Sequence, residues 1–294
     1  MGSRNSCPFE HQWIATNGIR LHVIQAGPKD GPLVILLHGF PEFWYGWRYQ
    51  IPSLASAGYR LWAPDQRGYN LSDKPAGIPA YTLDALAAEV IGLIDAAGRG
   101  TAFLVGHDWG GAVAWWAAAH YPRRVERMVI LNAPHGAVMG KHLLHNPAQL
   151  LRSWYIFFFQ VPWLPEAMAR LGNWKMVVEA LRRSSRPNTF SEADIERYKQ
   201  AWSQPKAYTS MLNWYRAIMR KWPRFPSPPC LMVPTLLIWG SRDRFLGREL
   251  AQQSIDLCSE GRLLVIEEAT HWVQHEEAHR INTVIDGFLR NRGE

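Results

Sequence analysis

Cysteine is scarce in this chain, and what there is does not pair off. Cys7, Cys230 and Cys258 are three in 294 residues, odd in number and far apart, which argues against a disulfide framework and for a reducing compartment. Long apolar runs are also missing. The most apolar stretch, Trp154 to Leu164, is about half a membrane span and is interrupted by Gln160 and Pro162, so no membrane-spanning helix is expected. The start, Met1-Gly2-Ser3-Arg4-Asn5-Ser6, lacks the apolar segment of a secretory signal, and the expected setting is soluble and cytoplasmic. Gly2 and Ser6 match the short myristoylation pattern, which an ordinary start matches as well. Acidic side chains number 25 against 32 basic, for a net charge of +7. The basic residues are scattered, apart from short clusters such as Arg182-Arg183 and Arg216 to Arg224. Without a continuous basic stripe, nucleic acid is not an expected partner. No internal repeat or low-complexity tract occurs.

What remains is a globular composition. With 47% hydrophobic and 19% charged residues, the chain is long enough to bury one substantial core and a smaller subdomain. Short apolar runs at Leu33 to Leu37, Arg60 to Ala63, Ala102 to Val105 and Met128 to Leu131 read as buried strands. Helical patterns lie between them, such as Leu83 to Ala97 after the N-cap Thr82. This alternation predicts an α/β fold, a mostly parallel sheet flanked by helices. It stops after Asn132-Ala133-Pro134 and resumes at Thr235 to Trp239 and Arg262 to Ile266. The intervening Trp-, Phe- and Arg-rich region reads as an inserted helical cap. Within it, Ser191 and Asp194 form a capping-box signal before a helix from Glu192 to Trp202, and Pro223, Pro226, Pro228 and Pro229 mark the exit. The expected division is a core of residues 1–133 and 230–294 and a cap of residues 134–229.

Immediately after the strand ending at Val105 comes Gly106-His107-Asp108-Trp109-Gly110-Gly111, followed by a helical run from Ala112 to His120. This is a nucleophile elbow with aspartate where serine is more usual. Gly106 and Gly110 suit a strand-to-helix turn that leaves no room for side chains. An aspartate at a helix start is also a common cap, so the flanking strand and helix carry the argument. Later in the chain, one strand leads into Gly240-Ser241-Arg242-Asp243 and the last into Glu267-Glu268-Ala269-Thr270-His271. Asp243 is the orienting acid and His271 the base in the chain order of this elbow fold, although Asp243 by itself could simply pair with Arg242 or Arg244. His275 lies four residues beyond His271, but the residues between lack the glutamate of a zinc-protease motif, and no metal site is expected.

Three stretches stand out: His38-Gly39-Phe40-Pro41-Glu42 with Trp44, then Asp65 to Pro75 (Asp-Gln-Arg-Gly-Tyr-Asn-Leu-Ser-Asp-Lys-Pro), then Gly106 to Gly111 again. Through them the chain resembles the α/β-hydrolase-fold soluble epoxide hydrolases over nearly its whole length. The resemblance implies oxyanion-hole N–H groups from the backbones of Phe40 and Trp109, and a cis Phe40-Pro41 bond.

Aspartate chemistry narrows the electrophile. A carboxylate can displace at a saturated carbon and form an alkyl-enzyme ester that activated water then cleaves. An epoxide or an alkyl halide meets that description, and neither a cofactor nor a metal is needed. Ring opening leaves an alkoxide that needs an acidic hydroxyl, whereas halide departure needs weak N–H donors. The cap contains Ser153 to Pro162 and Leu212 to Arg216, which resemble the segments through which epoxide hydrolases present ring-opening tyrosines, and these place Tyr155 and Tyr215 in that role. Tyr45, Tyr198 and Tyr208 are the alternatives. Substrate contacts are expected from Trp109, Phe40, Trp154 and Phe158. A haloalkane dehalogenase is the second reading, since Trp109 and Trp154 could direct indole N–H groups at a halide, but Phe40 lacks the polar or indole group those enzymes place there. Fluoroacetate dehalogenases use arginines after the nucleophile, where this chain has Trp109, Gly110, Gly111 and Ala112. A ligand-binding receptor would need no complete triad. The expected partners are therefore a small apolar epoxide and water, and a homodimer is compatible with the sequence.

Overall fold

The computed structural model describes residues 9–226 and 230–290; Gly2, Ser6, Cys7, Pro228 and Pro229 lie outside them. The first two strands, β1 (Glu10–Thr16) and β2 (Ile19–Ala26), form a hairpin that the sequence reading did not anticipate. They pair antiparallel with Thr16 opposite Ile19. Asn17 and Gly18 between them have φ of 46° and 76°, as a two-residue type I′ connection requires. That Asn-Gly pair was the signal available.

The remaining strands are β3 (Leu33–Leu37), β4 (Arg60–Pro64), β5 (Ala102–His107), β6 (Val125–Leu131), β7 (Thr235–Gly240) and β8 (Gly261–Ile266). The sheet order is β1-β2-β4-β3-β5-β6-β7-β8, parallel from β4 onward. Every residue of β3 is buried, because helices cover both faces. Leu33, Ile35 and Leu37 join one core layer and Val34 and Leu36 the other, which is why the strand reads as unbroken apolar sequence rather than alternation. The helices α1 (Gln50–Ser56), α2 (Leu83–Ala96) and α3 (Trp109–His120) follow β3, β4 and β5. α2 and α3 supply the first layer and α1 the second.

Between β6 and β7 the chain makes α4 (Gly136–His145), α5 (Pro147–Arg152), α6 (Trp154–Phe158), α7 (Leu164–Arg170), α8 (Lys175–Ser184), α9 (Glu192–Trp202) and α10 (Ala207–Arg220). The capping box of α9 is present: Ser191 Oγ accepts from the Asp194 N–H at 3.2 Å and the Asp194 carboxylate from the Ser191 N–H at 2.8 Å. In α10, Arg216 makes a buried two-pronged contact to Glu166 at 2.7 and 3.1 Å, and the Trp214 indole donates to the Arg67 carbonyl at 3.0 Å. Buried residues of these helices, Trp202, Leu212 and Trp214 among them, join the same apolar layer as α2 and α3. The chain closes with α11 (Glu249–Ile255), α12 (Val273–Glu276) and α13 (Ala278–Leu289). No helix among the described residues is long and apolar enough to cross a membrane.

Because β3 to β8 run parallel, the segments after β3, β5, β6, β7 and β8 all emerge at one edge of the sheet. That edge carries Phe40, Asp108, Asn132, Asp243 and His271.

Candidate active site

Asp108 sits in a turn that backbone crowding dictates. A Cβ on Gly106 would lie 2.5 Å from the Gly110 carbonyl oxygen, and one on Gly110 only 2.0 Å from that of Leu37. The helix that follows starts at Trp109 rather than Ala112: the close approach of the backbones requires glycine at 110, and tertiary packing overrides its low helix propensity. Asp108 itself has φ 51°, a strained conformation for a residue with a Cβ. Its side chain does not cap α3, so the plain capping role is not taken up. Instead Oδ1 accepts from the Phe40 N–H at 2.8 Å.

That donor is aimed by residues the sequence reading gave no task. His38 donates from Nδ1 to the Gly39 carbonyl at 3.0 Å, and the Glu42 N–H donates to the same carbonyl at 2.9 Å. In a trans peptide the N–H points opposite to the carbonyl, so fixing the Gly39 oxygen turns the Phe40 N–H toward Asp108. Gly39 is required here, because a Cβ on it would fall 2.4 Å from that of Asp108. Trp109 begins α3, where its N–H has no acceptor within the helix. The Phe40-Pro41 bond is cis.

His271 is buried and donates from Nδ1 to Asp243 at 2.7 Å, which leaves Nε2 facing Asp108 Oδ2 at 3.7 Å. The second distance is beyond a hydrogen bond and within the range of an ion pair when His271 is protonated. Asp243 is buried rather than paired with Arg242 or Arg244. Its two oxygens accept from His271, from Asn132 Nδ2 at 2.7 Å, and from the N–H groups of Phe245 and Leu246 at 2.7 and 3.0 Å. A buried carboxylate short of donors costs several kcal/mol; here burial alone would raise the pKa of Asp243, and His271, Asn132 and Phe245 bring it below its ordinary value. Asn132, itself held by the Gly240 N–H at 2.9 Å, thus helps hold the buried Asp243–His271 pair.

Behind His271 lies a buried polar chain. His107 donates from Nε2 to the His271 carbonyl at 2.9 Å and accepts at Nδ1 from Gln274 at 3.1 Å. The Gln274 amide also donates to Glu42 at 2.9 Å, and Glu42 further accepts from Tyr198 at 2.6 Å and His275 Nε2 at 2.7 Å. His275 accepts at Nδ1 from Arg48 at 2.9 Å, so both of its nitrogens are committed to this chain and neither faces His271.

Burial lowers the pKa of His271, but Asp243 first, then Asp108 and Glu42, outweigh it and raise the group from 6.5 to about 9. A raised folded-state pKa stabilises the fold fully below the unfolded value, and that stabilisation fades as pH rises through the folded one. The melting temperature is therefore expected to fall between about pH 6.5 and 9, and His271→Gln to flatten that part of the profile. Parallel profiles for the two proteins would contradict the assignment.

Asp108, Tyr155 and Tyr215 stand where two apolar cavities meet. The larger, about 400 Å³, also involves Phe40, Trp154, Phe158, Phe245 and His271; the smaller, about 90 Å³, runs past Trp109, Ala112, Met139 and Ile218. The expected contact residues are thus shared between them. The Tyr155 and Tyr215 rings are 5.9 Å apart at 81°. Burial, and then the Asp108 charge, push both phenols above the ordinary value, and a hydrogen bond from the Trp109 side chain tempers the rise at Tyr215. Both hydroxyls therefore stay protonated and able to donate. Of the alternatives, Tyr45 and Tyr198 spend their hydroxyls on Asp194 and Glu42, while Tyr208 lines the larger cavity.

A family profile described as the alpha/beta hydrolase fold matches residues 32–278. The AB hydrolase superfamily protein YfhM of Bacillus subtilis is 49% identical over 281 residues, which span 96% of this chain and 98% of that one. Human epoxide hydrolase 4 is 38% identical over 283 residues, 94% of this chain and 77% of its own. Among solved structures, the Bacillus megaterium epoxide hydrolase in complex with an inhibitor superposes with a TM-score of 0.86 at 31% identity, covering 95% of this chain and 100% of that one.

Proposed function

Since this chain belongs to the epoxide hydrolase family of α/β-hydrolase fold, we propose that it adds water to epoxides to give vicinal diols through a covalent ester on Asp108. One observation carries this reading: the nucleophile-elbow carboxylate and two protonated tyrosines border the same pair of apolar cavities. Residues 134–229 act as the cap that brings the tyrosines over a core made of residues 1–133 and 230–294.

Oδ1 of Asp108 is held by Phe40, so Oδ2 is the attacking oxygen. It displaces the ring oxygen from an epoxide carbon, and the electron pair collects on an oxygen that Tyr155 and Tyr215 hydrogen-bond. Alkylation removes the Asp108 charge, one of those holding a proton on His271. The imidazolium then yields that proton, matching the one the alkoxide gains, and becomes the base for the second step. Water lying between Nε2 and the ester attacks the Asp108 carbonyl carbon. Charge grows on Oδ1, where the N–H groups of Phe40 and Trp109 receive it. Collapse frees the diol and restores the carboxylate and the imidazolium.

The halide reading finds less support. Trp109 directs its side chain at Tyr215, and Trp154 is 62% exposed, so the two indoles do not converge on a leaving group beside Asp108. His271→Gln is expected to permit alkylation but slow ester hydrolysis by on the order of 10²- to 10⁴-fold, the range for loss of a general base. Mass spectrometry after exposure to styrene oxide should find protein plus one substrate. Unmodified protein, in a variant shown to be folded, would contradict the proposed division of labour.

A further inference from the structure

The cap is chemically unlike the rest of the chain. Residues 134–229 contain 14 lysines and arginines against 5 acids, a net +9, whereas the whole protein carries +7, so the remainder is slightly acidic. The same region gathers the exposed apolar surface. Ten of the sixteen large hydrophobic side chains exposed among the described residues lie between Leu144 and Met176. Scattered exposed leucines mean little, but this concentration is of the kind that marks an interaction surface.

Part of this surface leads into the site. Leu151, Trp154 and Met176 are 75%, 62% and 39% exposed and also line the larger cavity that reaches Asp108. Phe157 and Trp163, 44% and 73% exposed, follow along the same stretch of chain without lining it. Arg152, Arg170, Lys175 and Arg220 are exposed basic side chains on the helices α5, α7, α8 and α10. A surface of tryptophan, phenylalanine and leucine flanked by lysine and arginine has the composition that settles at the interface of an anionic bilayer. A second copy of the chain fits less well, because a twofold contact would set one +9 cap against another.

We propose that the cap, around the mouth of the larger cavity, docks on an anionic lipid bilayer and admits acyl-chain epoxides from it. The docking stands on the surface itself; the choice of substrate rests on the function proposed above. The probe is flotation with phosphatidylcholine vesicles, with and without a one-third share of phosphatidylserine. The protein is expected to float with the phosphatidylserine vesicles and to release in high salt as screening shortens the range of its charges. Phe157→Ser/Trp163→Ser should lower this binding roughly tenfold, since two apolar anchors are lost. The double variant should still hydrolyse dissolved styrene oxide at the wild-type rate and lose turnover of a vesicle-borne epoxy fatty acid. No flotation at low salt, equal flotation of the variant, or a wild-type dimer that the variant abolishes would each overturn the docking. Failure of the wild type on styrene oxide as well would instead count against the function, not the docking.

Discussion

Asp108→Ala is expected to lower turnover of every epoxide by at least about 10⁴-fold, with no covalent adduct, because no second nucleophile borders both cavities. His271 would still hold its bond to Asp243 in this variant, so a folded protein with an intact base would test the nucleophile alone. Activity that persisted above that level would mean that water attacks the epoxide directly. A single turnover in oxygen-18 water, with enzyme in excess, separates the routes further. The first diol should take its new oxygen from Asp108 Oδ2 and stay largely unlabelled. Label appearing in that diol at once would favour direct attack by water.

The double replacement of Tyr155 and Tyr215 by phenylalanine is expected to remove epoxide opening while the fold stands. Each hydroxyl strengthens its hydrogen bond as charge moves onto the ring oxygen, so its loss falls on the transition state rather than on binding. One remaining donor can still protonate the alkoxide. Either single change should therefore cost on the order of 10²- to 10³-fold, and the double change should leave no alkylation on the wild-type timescale. The clean measurement is adduct formation by mass spectrometry in a His271→Gln background, where the ester accumulates. Undiminished alkylation there would reduce the tyrosines to packing, and bromide release from bromoalkanes by the wild type would restore the halide reading.

Sequence by itself determined the parts of this protein that are local in the chain. Gly106 and Gly110 flank Asp108 at the spacing a tight strand-to-helix turn requires, while Asp243 follows a buried apolar strand and His271 a half-buried edge strand. Parallel strands then deliver their ends to one edge, so chain order sufficed to bring the three together. Tertiary structure alone decided what depends on two remote segments arriving at one place. The Phe40 N–H, which only the family resemblance pointed to, reaches Asp108 across 68 positions, and Asn132, which nothing in the sequence pointed to, reaches Asp243 across 111. Neither bond leaves a mark in composition or periodicity. The same holds for the chain from His107 through Gln274 and Glu42 to His275, where buried polar groups from remote segments partner one another, although Gln274 Oε1 is left without a partner. The unequal cavities meeting at Asp108, with the exposed Leu151, Trp154 and Met176 lining the larger, are likewise properties of helices packed over a sheet edge. Side-chain identity was legible residue by residue, but distance and burial exist only once the chain has closed on itself.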